Sequence, residues 1–204
     1  NSGVHEEGRE LFAYILENWD ETPDTMLELQ VGIALQSIKL AEPNKVEAAL
    51  ERLIADYNDH PKIAKALFQI AEEYYYAGKY RTAVDLWKTV RSKYSDRQLV
   101  NEEEVPFMIA NCHQLLNEHD NAIKYYKETV EKHPGTARAA EACYETGMIY
   151  FLHKKDYNRA IEWLERFLEV RPDKRRYGER GLFHLVVIYT QKVKDYQKGI
   201  AAAQ

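Results

Sequence analysis

Cysteine is almost missing from this chain of 204 residues, with only Cys112 and Cys143 present. Their spacing fits no metal-binding pattern, so both read as reduced, buried, small apolar side chains. A bond between the two is left open, and cysteine usage does not fix the compartment, periplasm or cell envelope against cytoplasm. Long apolar runs are absent too. No stretch approaches the roughly 18 residues that would suggest a membrane-spanning helix. Positive charge is not in excess: 28 Lys and Arg stand against 33 Asp and Glu, a net charge of −5. That balance argues against nucleic acid, which needs a basic stripe to displace counterions. There is no Gly-rich phosphate loop, no HExxH and no GxSxG, so no catalytic residue, metal ligand or cofactor is expected. The seven histidines are scattered, with His60 and His133 in turns and His113 and His184 within helical patterns. The chain opens Asn1-Ser2-Gly3, which reads as a tag scar or the start of a processed or excised fragment.

What the chain does have is a period. Gly8, Val46, Ala83, Ala122, Ala160 and Gly199 recur at steps of 37 to 39 residues. Apolar residues follow four and seven positions on: Phe12 and Ile15, Leu50 and Leu53, Trp87 and Val90, Leu164 and Phe167. A period in this range marks stacked helical units. With 45% hydrophobic and 30% charged residues, the composition supports a packed core.

A second apolar pattern precedes each small residue. Leu67, Ile70, Ala71 and Tyr74 lie on one helical face ahead of Ala83. Gly78 interrupts, and Tyr80 begins the next helix. Each unit is therefore two antiparallel helices joined by a tight turn. Trp19-Asp20-Glu21-Thr22-Pro23, Tyr57-Asn58-Asp59-His60-Pro61, Tyr94-Ser95-Asp96, His133-Pro134-Gly135 and Arg171-Pro172-Asp173 supply the stops between units.

This arrangement resembles the tetratricopeptide repeat, whose helix pair carries W-x2-L-G-x2-Y, then a small residue, an aromatic and a closing proline. Leu67, Ile70, Ala71, Tyr74, Gly78, Tyr80, Ala83, Trp87 and Val90 fill those slots once. Ile109, Ala110, His113, Ala122, Tyr126 and Pro134 fill them again, with His113 in an aromatic slot. Gly147, Tyr150, Tyr157, Ala160, Leu164, Phe167 and Pro172 match best. Tyr150 to Tyr157 is seven steps against six from Tyr74 to Tyr80, and Tyr189 to Tyr196 repeats the insertion. The unit at 24–58 is degenerate, with Pro43 in its turn and no clear small or aromatic slot in its first helix. The long period and closures such as Tyr57-Asn58-Asp59 are similar in style to bacterial envelope-assembly lipoproteins and periplasmic coordinators.

The resemblance implies an all-α, right-handed superhelical solenoid of about five antiparallel helix pairs with incomplete ends. The expected organisation is one array over 1–204: a second helix of a preceding unit at 5–20, pairs at 24–58, 61–96, 101–134 and 136–172, and a truncated unit at 176–204. It also implies a non-enzymatic scaffold whose first helices line a concave groove. The groove positions here are Phe68, Glu72, Tyr75, Phe107, Asn111, Tyr144, Met148, Phe151 and Phe183. Their lead position is aromatic in all four units, which suits a partner peptide or helix with an apolar face. The same rings can instead serve only to pack neighbouring first helices. Aromatic residues where other members of the family place lysines argue against clamping an acidic chaperone tail. The basic cluster Arg171, Lys174, Arg175, Arg176 and Arg180 reads as a solvated loop, or as a contact for an acidic surface or anionic lipid. Two further readings stand beside the scaffold: a docking or regulatory fragment of a longer enzyme or sensor, and self-association through end helices.

Overall fold

The computed structural model describes residues 2–18, 22–94, 102–170 and 178–203. Trp19, Ser95, Asp96 and the cluster from Arg171 to Arg176 lie outside them; Arg180 is described. The chain divides into two compact units. Unit 1, Asn1–Val100, holds α1 (Ser2–Asn18), α2 (Pro23–Lys39), α3 (Pro43–Asp56), α4 (Ile63–Tyr76) and α5 (Tyr80–Lys93). Unit 2, Asn101–Gln204, holds α6 (Glu104–Leu115), α7 (His119–Lys132), α8 (Ala137–Ile149), α9 (Tyr157–Val170), α10 (Gly178–Val187) and α11 (Tyr196–Ala203). No strand occurs among the described residues, and the fold is an all-α helical-repeat solenoid.

Five turns join the paired helices, and all use one device. Each places one residue in the left-handed region: Ala41 (φ 55°), Gly78 (φ 73°), Asn117 (φ 58°), Lys155 (φ 56°) and Lys194 (φ 60°). That conformation lets the next backbone N–H fold back and satisfy a carbonyl that the ending helix would leave unpaired. Lys79 N donates to Tyr74 O at 2.8 Å, Glu118 N to His113 O at 2.8 Å, and Glu42 N to Ser37 O at 3.0 Å. In the two longer turns Asp156 N reaches Tyr150 O at 3.0 Å and Asp195 N reaches Tyr189 O at 2.8 Å.

The closing bond therefore returns to the aromatic slot in every case where that slot is filled. The inserted residue is absorbed as π-helical turns, Tyr150–Lys154 after α8 and Ile188–Val193 after α10. Asp156 and Asp195 then cap α9 and α11, accepting from Arg159 N and Lys198 N at 3.1 Å.

The same bond gives the register of the unit that looked degenerate. Ser37 stands where Tyr74 and Tyr150 stand, and Ala34, fully buried, occupies the small slot of Ala71 and Gly147. The slots exist but carry residues too ordinary to be recognised.

Close helix approach explains the small residues. Ala83, Ala122 and Ala160 are 0% exposed. A Cβ at Gly147 would stand 2.9 Å from Leu164 Cγ on α9. Trp87, Val90, Tyr126 and Leu164 fill the core between these crossings. His113 replaces the slot aromatic by stacking on Tyr125, with centroids 5.5 Å apart, while its Nδ1 lies 2.7 Å from Glu118 Oε2. Cys112 and Cys143 are free, buried thiols, pushed up to about 12 and about 11 chiefly by burial. They are packing residues, and no disulfide joins them.

Candidate functional site

The first helices carry the candidate residues, and the two units are taken separately. In unit 1, Phe68 and Tyr75 on α4 are half-buried. Phe68 lies 6.1 Å from the Trp87 ring, and Tyr75 lies 5.5–6.2 Å from Tyr76, Tyr80 and Trp87. Glu72, also half-buried, is one turn on from Phe68. Tyr76 at the end of α4 is 74% exposed. This face is a cluster of rings seated on a buried tryptophan, with one carboxylate among them.

In unit 2 the residues divide. Phe107 is 3% exposed, its ring 5.6 Å from Tyr126 and 4.7 Å under the Arg138 guanidinium. Arg138 is in turn held by Glu104 at 2.7 Å and Glu141 at 2.6 Å. Phe107 thus lies between Tyr126 of its own helix pair and Arg138 of α8 and offers almost no contact surface, a correction to the expectation that it lines a groove. Tyr144, Met148 and Phe151 on α8 and its π turn are half-buried. The Tyr144 ring packs on Phe167 (5.5 Å), His184 (6.0 Å) and the Arg180 guanidinium (5.4 Å). Phe151 meets Tyr157 at 6.2 Å and His184 at 6.3 Å. Phe183 on α10 is 63% exposed.

A polar chain runs beside these rings. The Tyr126 hydroxyl touches Asn111 Oδ1 and lies 2.8 Å from Gln114 Oε1. Gln114 Nε2 donates to Glu145 Oε2 at 2.9 Å, which fixes the Gln114 oxygen toward Tyr126. The hydroxyl has one hydrogen, which the Asn111 and Gln114 amide oxygens share. Burial pushes the Glu145 carboxyl above its ordinary value; the Gln114 hydrogen bond opposes this, Glu141 adds to it and Arg180 opposes it. His184 is pushed down by burial and by the charge of Arg180. Tyr144 is raised by burial, with Arg180 working against it.

Glu145 was not among the sequence candidates. An acidic residue in mid-helix carries no local mark, and only the placement of Gln114 on the neighbouring first helix gives it a role. Among the described residues, no group of three or more His, Cys, Asp and Glu could hold a metal, and no helix is long and apolar enough to cross a membrane.

Known proteins share this architecture. Tetratricopeptide-repeat families match residues 107–175 and 65–97. Among solved structures, BtubC of P. vanneervenii is similar at 17% identity, with a TM-score of 0.61 over 98% of this chain and 86% of that one. MamA of Desulfovibrio magneticus RS-1 aligns at 17% identity, with a TM-score of 0.56 over 86% of this chain and 90% of that one. PilF of Pseudomonas aeruginosa aligns at 11% identity, with a TM-score of 0.55 over 98% and 90%. At such identities the likeness is one of fold. No curated protein matches the sequence. The repeat is typically a non-catalytic interaction scaffold, and its partners are proteins. The slots, the turns and these matches agree: the chain belongs to the tetratricopeptide-repeat family and carries protein–protein interaction modules.

Proposed function

We propose that the first-helix faces hold an apolar peptide or helix of a protein partner, without chemistry of their own. The observation that carries this reading is Phe183, an aromatic ring left 63% exposed and 5.4 Å from His184, which also meets half-buried Tyr144 and Phe151. Exposed rings next to a half-buried aromatic floor supply contact area at low entropic cost. Asn111 and Glu145 add polar groups that fix orientation. In unit 1, Phe68, Glu72 and Tyr75 present the same mixture on a smaller scale.

The test is capture of a partner from the source cell by the chain and by Phe183→Ser and Met148→Ser variants, with helix content followed by circular dichroism. Capture lost at full helix content supports the reading. Capture unchanged in both variants refutes it. A second reading, self-association, is favoured by α1, where Val4, Leu11 and Tyr14 are exposed, and by Tyr196 and Ile200 on α11. Sedimentation velocity over a wide concentration range separates the two, since only self-association gives a mass that climbs with concentration.

A further inference from the structure

The two π-ended turns of unit 2 differ from the other turns in chemistry as well as in length. Leu152-His153-Lys154-Lys155-Asp156 follows α8, and Gln191-Lys192-Val193-Lys194-Asp195 follows α10. Each puts an apolar tip beside two lysines. Leu152 is 45% exposed and Val193 41% exposed. Lys154, Lys155, Lys192 and Lys194 are all exposed. Arg159 and Lys198, at the starts of the helices that follow, add one cation to each turn.

The acids nearby are already engaged. Asp120 pairs with Lys154 at 2.6 Å, Asp156 with Arg159 at 3.4 Å, and Asp195 caps α11. His153 stacks on His119 at 4.0 Å. Lys155, Lys192 and Lys194 form no ion pair among the described residues. The turn between α6 and α7 ends on Glu118 instead, with Asp120 in the first turn of α7, so the basic character is local, in a chain whose net charge is −5.

We propose that these two turns form a docking rim for an anionic lipid surface. The α8 and α10 helices meet through the rings of Tyr144 and His184 and are both first helices of their pairs, so the turns that follow them stand at the same edge of the unit. A protruding turn with an apolar tip and flanking lysines suits a broad charged plane better than a single peptide, which needs a recess to be gripped. The tips enter the headgroup boundary while the lysines meet the phosphates.

The experiment is co-sedimentation of the full chain with vesicles of phosphatidylcholine alone, or with about a third phosphatidylglycerol, at low and high salt. Binding is expected only with phosphatidylglycerol, and it weakens as salt rises. Lys155→Asn with Lys192→Gln and Lys194→Asn keeps the left-handed positions tolerable and should weaken binding by about tenfold or more. Leu152→Ser with Val193→Ser should weaken it independently. Lys45→Gln, Lys65→Gln and Lys93→Gln together, all exposed in unit 1, should leave most of it. No binding to the anionic vesicles at low salt overturns the proposal. So does equal binding to phosphatidylcholine, or an equal loss from the unit 1 lysines.

Discussion

Replacing Phe107 and Phe183 by alanine separates a ring that builds the fold from a ring that faces outward. Both occupy the lead position of a first helix, and sequence treats them alike. Phe107 is 3% exposed, wedged between Tyr126 and the Arg138 guanidinium, whereas Phe183 is 63% exposed. Emptying a buried phenylalanine site costs about 3–5 kcal/mol, the lost transfer energy plus the cavity left behind. For a chain of this size that corresponds to a fall in Tm of roughly 6–20 °C. Truncating a mostly exposed ring stays within about 0.5 kcal/mol, too little to move Tm by more than roughly 2 °C. Thermal and urea unfolding followed by circular dichroism read both, with the caution that repeat arrays can unfold piecemeal, so midpoints of unit 2 matter more than one global fit. Phe107→Ala unfolding at the wild-type midpoint would refute the assignment of that ring to the core. Phe183→Ala losing as much as Phe107→Ala would remove Phe183 from the candidate surface.

Three further outcomes follow from the packing and the charges. Gly147→Ala brings a Cβ to 2.9 Å from Leu164 Cγ and should lower stability by about 1–3 kcal/mol through overpacking; Ala160→Leu, at a fully buried crossing, should do the same by urea midpoint. Ala41 sits at φ 55°, a conformation costly for a residue with a Cβ, so Ala41→Gly should stabilise by up to about 1 kcal/mol, and a lowered urea midpoint would count against the turn geometry. Burial raises the Glu145 carboxyl above 4.5, so the native state holds its proton where the unfolded chain has released it. Wild type therefore loses stability relative to Glu145→Gln as pH rises through and above 4.5, and the two converge below it; urea midpoints from pH 3 to 7 that never diverge would contradict this.

Much of the fold was written in local chemistry. The period of small residues, the apolar spacing before and after each, and the turn residue Gly78 dictate helix pairs, because close crossings admit only small side chains and a left-handed residue must end each first helix. Even the one-residue insertions at Tyr150–Tyr157 and Tyr189–Tyr196 were visible as counts. That they become π turns was decided in three dimensions: the closing hydrogen bond must return to the slot carbonyl, and the surplus residue has nowhere else to go. Ala34 and Ser37 escaped notice because an alanine and a serine look like any others until a neighbouring helix and a backbone bond give them their places.

The candidate surface was legible only as a set of positions. Sequence spacing places Phe68, Phe107, Tyr144 and Phe183 at equivalent points and sets no difference among them. Whether such a ring is core or surface depends on what lies over it, and that comes from residues distant in the chain: Arg138 covers Phe107, Arg180 and His184 half-cover Tyr144, and Phe183 is left open. Periodicity records which way a side chain leaves its own helix. Burial is a property of its neighbours, and only the tertiary structure assembles them.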